Sequence, residues 1–496
     1  MDDLSRMDVG HEVSLARRAQ QAWGALPVRG RLRVLKRLRH MVAEAPDGLV
    51  AAVDGARHRR RGETLAAELL PLAEACRFLE RRAAPLLKPR RVRGGGLLPL
   101  LMRTSVTVRR EPHGVILVIG PGNYPLFLPG VQALQALAAG NAAVVKPGAG
   151  GLPAMRALAQ TLRASGLDPC LFRVLPEPAS AAKQAIEAGV DKVVLTGSAG
   201  TGRAVLADLA PRLVPAAMEL SGCDAVFVLD DADLGLTARA VIFALCLNDG
   251  ATCIAPHRLF ATPHVAGRLE GRLAGLAAQA PPLEVPAERA EYAARLVAEA
   301  VAQGARVVAG RAEPGDMSSP VILGDATPQM RLLQEDVFAP VLSIVPVEST
   351  EAALRADAHC PYALGASVFG GRRAAARLAE RVRAGCVVVN DIVVPTADPR
   401  VAFGGRDRSG FGVTRGAEGL LEMTAVKSVV VQRGGWRPHL RGGLEEAEDL
   451  LRLYLAAAHG RSLTRRLRAL WGLVRAGWSL RHDTSPSHEE EVSADG

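Results

Sequence analysis

Two residues of this chain could make and break a bond to a carbonyl carbon. Cys253, in Gly-Ala-Thr-Cys-Ile-Ala-Pro, carries a thiol that attacks carbonyls as its thiolate. Glu219, in Met-Glu-Leu-Ser-Gly, carries a carboxylate that could activate water against the resulting thioester. The run Gly120-Pro121-Gly122-Asn123-Tyr124-Pro125 adds an amide, because Asn123 could donate to an oxyanion developing on the same carbonyl. Each also has a plain structural account: a lone cysteine beside Ile254 packs as a small apolar side chain, a lone glutamate is a solvated charge, and an asparagine tolerates a tight turn.

Two further segments suit binding. Val144-Val145-Lys146-Pro147 reads as a strand ending in a proline-stopped turn, and the cation at its tip fits a ribose hydroxyl or a phosphate as well as it fits solvent. Leu195 to Gly202, LTGSAGTG, is a strand running into a glycine-rich helix start, where Gly197, Ser198 and Gly202 stand beside N–H groups able to hold a pyrophosphate. It is not the G-x-G-x-x-G fingerprint.

These residues need a scaffold that brings strand ends together, and the apolar pattern supplies one. Val115–Ile119, Ala142–Val145, Leu171–Leu175, Lys192–Leu195 and Ala225–Leu229 are short apolar runs separated by helical stretches, the alternation of a doubly wound parallel α/β sheet. A second α/β region follows between Ala232 and Val401, with helical Glu288–Gly304 and Glu351–His359 and strands at Val341–Val345, Ala366–Phe369 and Cys386–Val389. Before these lie amphipathic helices from Val9 to Leu49 and from Glu63 to Leu87. The expected division is a dinucleotide-binding domain over 1–220, a catalytic domain over 221–401, a return to the first domain over 402–440, and a helical extension with a polar tail over 441–496.

Composition narrows the function. The 496 residues, 49% of them apolar, exceed one minimal core. No apolar run approaches the roughly 18 to 20 residues of a membrane span, and no secretory pattern opens the chain, so a cytoplasmic location is expected. The seven cysteines are scattered with no C-x-x-C pair, which argues against disulfides and zinc. A net charge of +10 comes without interleaved aromatics, there being four Trp and four Tyr, so nucleic acid is not the expected partner.

Taken in order, the motifs resemble the aldehyde dehydrogenase superfamily, whose members carry P-W-N-Y-P, K-P-x-E, T-G-S-x-x-x-G, E-L-G-G and G-Q-x-C in that succession. The likeness extends through Glu335-Asp336-Val337-Phe338-Ala339-Pro340, Tyr362-Ala363-Leu364-Gly365, Gly385 to Asn390, and Phe403 to Gly410, and it spans roughly Val9 to Leu440. The resemblance implies Cys253 as nucleophile, Glu219 as general base and Asn123 as oxyanion donor. It implies Lys146, Gly197, Ser198, Gly202, Asp336 and Phe338 as contacts for NADP or NAD. It also implies a Rossmann-type cofactor domain, a catalytic domain, and short oligomerisation strands near 97–110 and 425–432 that would make a homodimer. Asn248 to Pro256 is similar to the class 3 branch, which favours fatty and aromatic aldehydes.

The sequence departs from the family where Ala149 replaces the K-P-x-E glutamate, Ala251 the usual Gln, Asp336 a Glu, and Gly122 a Trp. Ala149 removes a carboxylate that would repel a 2′-phosphate, which favours NADP. The implied reaction is oxidation of an aldehyde to a carboxylate through a thioester. The alternatives are a CoA-acylating dehydrogenase or acyl-CoA reductase, and a binding protein that keeps the fold without turnover. In the C-terminal extension, Leu463, Leu467, Leu470, Trp471, Val474 and Trp478 recur at helical spacing among arginines, which suits weak contact with an anionic membrane surface or packing on protein.

Overall fold

The chain opens with the helices that the apolar periodicity predicts, Val9–Ala25, Val28–Glu44, Asp47–Arg57 and Leu70–Leu87. The structure is a computed structural model that describes residues 7–57, 60–92, 104–433 and 448–482. The expected unbroken helix from Glu63 differs in one respect: a π-helical turn at Leu65–Leu69 interrupts it. That turn carries Glu68, wholly buried, whose carboxylate accepts the N–H groups of Leu126 at 3.1 Å and Phe127 at 2.6 Å. An acceptor there satisfies two of the free donors at the start of the buried helix Phe127–Ala139, and so fixes the loop that carries Asn123.

Strands β1 (Arg90–Val92) and β2 (Thr104–Pro112) pair antiparallel before the first large sheet begins. That sheet holds β3 (Val115–Ile119), β4 (Ala142–Lys146), β5 (Phe172–Val174), β6 (Lys192–Gly197) and β7 (Ala216–Leu220), all parallel. The order is β7-β6-β3-β4-β5, so the chain leaves β3 in opposite directions on its two sides. In such sheets the crevice beyond the strands' carboxyl ends at this reversal is where ligands bind. Asn123, Lys146, Gly197 and Glu219 all lie at that end. Every residue of β3 is buried, because helices cover both faces.

The second sheet contains β8 (Asp224–Val228), β9 (Pro256–Ala261), β10 (Arg306–Ala309), β11 (Val321–Gly324), β12 (Val341–Pro346), β14 (Gly365–Phe369) and β15 (Cys386–Val389), in the order β10-β11-β12-β9-β8-β14-β15. All are parallel except β10. Alternate residues of β8 serve different cores: Ala225 and Phe227 join the cluster that includes the helix Ala287–Ala302, whereas Val226 and Val228 join the one with Leu234–Cys246 and Pro263–Ala277. Between β12 and β15 sits β13 (Tyr362–Ala363), which pairs with β16 (Arg406–Asp407). β17 (Gly410–Phe411) then returns to the first sheet, antiparallel to β7, with Gly410 opposite Glu219.

Both large sheets belong to one compact unit, formed by the chain up to Leu87 with Glu111–Ala425. A second unit is formed by Lys88–Arg110 with the chain from Val426 onward. It contains most of the small sheet β1-β2-β18, where β18 is Thr424–Gln432, and two helices, Glu448–His459 and Leu463–His482. The helices pack on each other with Ala457 and Ala469 buried. Parts of the expected oligomerisation strand (97–103), extension (441–447) and polar tail (483–496) lie outside the described residues.

Candidate active site

Cys253 follows the helix Leu234–Cys246 and one further tight turn, Leu247–Gly250. In that turn Asn248 (φ 55°), Asp249 (φ 55°) and Gly250 (φ 76°) are consecutively left-handed. Asparagine, aspartate and glycine are the residues that tolerate this conformation, so the sequence Asn-Asp-Gly encodes the reversal that presents the thiol. The turn is knitted to the neighbouring loop. Asn123 donates its amide to the Ala251 carbonyl at 3.0 Å, Asn248 donates to the carbonyls of Ala251 (2.9 Å) and Asn123 (3.2 Å), and the Tyr124 and Thr252 hydroxyls meet at 2.9 Å. The expected oxyanion donor therefore sits over the segment that leads into Cys253.

Glu219 lies on the buried strand β7, and two residues that follow β17, Thr414 and Arg415, act on its carboxylate. The Thr414 hydroxyl donates to one carboxylate oxygen at 3.0 Å, while the other oxygen is buried without a hydrogen-bond partner. Burial pushes the Glu219 carboxyl above its ordinary range, opposed by the Arg415 guanidinium and the Thr414 hydrogen bond. A carboxyl raised in this way is the usual tuning of a general base. Burial also raises the Cys253 thiol, with Glu219 and Asp224 adding to the effect and Arg415 working against it.

Two cavities meet at this pair. One, of about 1040 Å³, is walled largely by apolar side chains, among them Phe127, Ile242, Phe243, Ile254, Val393 and Phe403. The other, of about 510 Å³, runs past Ala149, Gly197, Ser198, Asn123, Asp336 and Phe338. Their shared walls are Leu128, Glu219 and Cys253. The structure thus brings together Cys253, Glu219, Asn123, Gly197, Ser198, Asp336 and Phe338. Lys146 and Gly202 are not part of the cleft lining. Lys146 ends β4, and the turn after it reaches the cleft at Ala149. A Cβ on Gly202 would stand 2.8 Å from a Leu220 methyl, so that glycine serves the packing of the helix Ala199–Leu209 on β7.

The narrower cleft has the features a dinucleotide needs. Ser198 caps the helix Ala199–Leu209, its hydroxyl accepting the Thr201 N–H at 3.1 Å, so a helix N-terminus opens there toward an anion. At the Cys253 end, Asp336 has one carboxylate oxygen buried without a partner, and burial raises its carboxyl to about 6 despite a hydrogen bond from Ser221. An unpartnered buried acceptor of this kind suits a ribose hydroxyl donor. Phe338 adopts φ 49° and lies under the Arg289 guanidinium, 4.4 Å from the ring centre. The turn after β4 is pressed against the Asn123 loop, because a Cβ on Gly148 would lie 2.2 Å from the Pro121 carbonyl carbon.

Several site residues are not evident in the sequence. Thr414 and Arg415 follow the Phe403–Gly410 motif closely, and an arginine there is the signal that could have found them. Arg415 is buried, donates to the Thr396 carbonyl at 2.7 Å, and lies 4.3 Å from the Phe403 ring centre. Glu68 offers no signal, since its spacing is that of any amphipathic helix.

The comparisons with known proteins agree with this geometry. The model of the aldehyde dehydrogenase family matches residues 1–429. A protein of Mycolicibacterium smegmatis, provisionally named an NADP-dependent succinate-semialdehyde dehydrogenase, is 31% identical over 86% of this chain and 85% of its own. A 4,4′-diapolycopene aldehyde oxidase of Methylomonas is 28% identical over 89% of this chain and 86% of its own. The solved structure of a Mycobacterium tuberculosis aldehyde dehydrogenase with NAD+ superposes with a TM-score of 0.79, at 25% identity, over 86% of this chain and 91% of that one. The chain belongs to the aldehyde dehydrogenase family and is an NAD(P)-dependent enzyme of that family.

Proposed function

We propose that the chain oxidises an aldehyde to a carboxylate in two stages on Cys253. The observation that carries this reading is the meeting of an apolar cavity and a cofactor-shaped cleft at one thiol and one buried carboxylate. The Cys253 thiolate adds to the aldehyde carbon, and the Asn123 amide turns from the Ala251 carbonyl toward the new oxyanion, with the Cys253 N–H as the second donor. Such donors tighten in the transition state. Bound NAD or NADP supplies the acceptor for the hydride that leaves this carbon, so that Cys253 retains an acyl thioester. Asp336 and Phe338 position the cofactor at the Cys253 end of the cleft. Glu219 then takes a proton from water, which adds to the thioester and releases the acid and the thiol.

Retention of a buried, raised carboxylate at 219 favours water over CoA as the acyl acceptor. The experiment is to follow reduced-cofactor absorbance with an aldehyde and NAD or NADP, with and without CoA. Turnover without CoA, yielding the free acid, is expected; turnover only with CoA overturns the hydrolytic reading. Cys253→Ala should show no turnover, whereas Cys246→Ala should retain it. Loss in both alike would place the nucleophile elsewhere.

The size and lining of the larger cavity favour an extended apolar aldehyde over a short charged one. The relatives' names divide on this point, the Methylomonas protein being named for 4,4′-diapolycopene aldehyde and the mycobacterial ones for succinate semialdehyde, so the cavity carries the argument. A panel of aldehydes from short semialdehydes to long alkanals tests it through kcat/KM. Two surfaces support the wider assembly. β18 leaves Val426 and Val430 exposed, consistent with a homodimer through the small sheet. Leu463, Leu467, Trp471 and Val474 are exposed on one helix among Arg465, Arg468 and Arg475, consistent with contact at an anionic membrane surface.

A further inference from the structure

The turn after β4 reads Lys146-Pro147-Gly148-Ala149-Gly150-Gly151, with no carboxylate at its fourth position. A different carboxylate occupies the neighbourhood. Glu177 follows β5, and Val174 of β5 pairs with Val145 of β4, so the loops beyond these two strands lie side by side. One Glu177 oxygen accepts the Gly150 N–H at 3.1 Å and the other accepts the Leu152 N–H at 2.9 Å. The carboxylate thus brackets the turn and closes the start of the helix Leu152–Ala164, which Gly151 cannot cap with a side chain. Gly150 is the residue after Ala149, which lines the cleft. The same charge acts on Lys146, whose ammonium is pushed down by burial and held up by Glu177.

We propose that Glu177 supplies, from the adjacent strand end, the negative charge that Ala149 lacks, and that it selects against the 2′-phosphate of NADP so that NAD is the preferred dinucleotide. The inference rests on reading the 510 Å³ cleft as the dinucleotide site. Loss of the glutamate at 149 alone would favour NADP. The two hydrogen bonds hold the Glu177 carboxylate against the turn, so it cannot swing away from an incoming phosphate. Lys146 adds little attraction, because its charge is shared with Glu177. A purely structural cap would leave cofactor choice unmoved, and this separates the two roles.

Dissociation constants for NAD and NADP, measured by calorimetry without aldehyde, test the assignment. The wild-type protein should bind NAD at least tenfold more tightly, about 1.4 kcal/mol. Glu177→Gln keeps an acceptor oxygen for the turn, and should narrow that ratio about tenfold by tightening NADP, while Glu177→Asp should stay near wild type. An unchanged ratio in the Gln variant overturns the proposal, as does a wild-type preference for NADP. The wild-type ratio should also narrow between about 50 mM and about 0.5 M salt, because screening weakens a partly exposed repulsion. A ratio indifferent to salt overturns the proposal without any substitution. If neither dinucleotide binds, the cleft assignment falls first and this inference with it; if both bind with equal affinity in every variant, only this inference falls.

Discussion

Burial raises both the proposed nucleophile, Cys253, and the proposed base, Glu219, and a single guanidinium draws them back. Cys253 and Glu219 each need to lose a proton to act, each is opposed by desolvation, and Arg415 is the cation that favours both charged forms. Glu219, Asp224 and Asp336 act on the thiol with the opposite sign. Activity should therefore rise with pH. Replacing Arg415 by Met should move the alkylation of Cys253 by iodoacetamide to higher pH, while Lys should restore most of the shift. Equal profiles for Met and wild type would reduce Arg415 to a packing residue between Phe127 and Phe403. Glu219→Gln tests the second stage separately. It should keep the first burst of reduced cofactor and slow steady turnover by about 10² to 10⁴, the usual cost of losing a general base. A burst slowed to the same degree would instead assign Glu219 to activation of the thiol.

At the scale of the element, buried charge conceals two strands from the apolar pattern, although the apolar β11 goes unread as well. Apolar runs point to β3, β4, β5, β6 and β8, whereas β7, between β6 and β17, and β9, at the centre of its sheet, escape such a reading. β7 reads Ala-Ala-Met-Glu-Leu and β9 Pro-His-Arg-Leu-Phe-Ala, and the buried Glu219, His257 and Arg258 interrupt the pattern that marks a strand. Arg258 is buried because Asp357 pairs with it at 2.9 Å and the Cys223 carbonyl accepts from its Nε at 2.8 Å. Such partners lie far away in sequence, and no local period foretells them. Cys253, Glu219 and Asn123 stand out because their motifs are local, and the structure brings all three to the walls of one cleft. Thr414, Arg415 and Glu68 reach the site only through tertiary packing.

His257 gives β9 a measurable consequence. Its Nδ1 lies 2.9 Å from the Val341 carbonyl, and burial lowers its pKa to about 4. The unfolded chain, titrating near 6.5, binds the proton first, so this residue's contribution to stability is complete above about pH 6.5 and is lost as pH falls toward 4. By pH 5 the loss is about 2 kcal/mol. His257→Gln, which keeps a donor for Val341 and does not titrate, should shrink the drop in unfolding free energy between pH 7 and pH 5 by that amount. An identical drop in the variant would show that other groups account for the acid lability.

At the scale of the whole molecule, the exposed face of the helix Leu463–His482 is the feature that the enzyme's chemistry leaves unused. Replacing Leu467 and Trp471 by Asp should abolish co-sedimentation with vesicles rich in anionic lipid. Light scattering should still report twice the chain's mass, because β18 rather than this helix carries the proposed dimer contact. Equal co-sedimentation of both proteins would remove the membrane from the account, and a monomeric variant would make the helix part of the dimer. The apolar period of that helix was readable in the sequence. What covers it was not, since a stripe of leucines serves lipid and protein alike.

The geometry at Cys253 bears on traffic as well as on chemistry. Among the described residues the two cavities share only Leu128, Glu219 and Cys253, so the proposed aldehyde and cofactor routes are walled by different side chains until they meet. In the proposed reaction the tethered acyl group keeps to the apolar corridor and leaves the far side of the thioester open. Water can then arrive by the route along which the oxidant came, and it meets Glu219 at the junction where both corridors end.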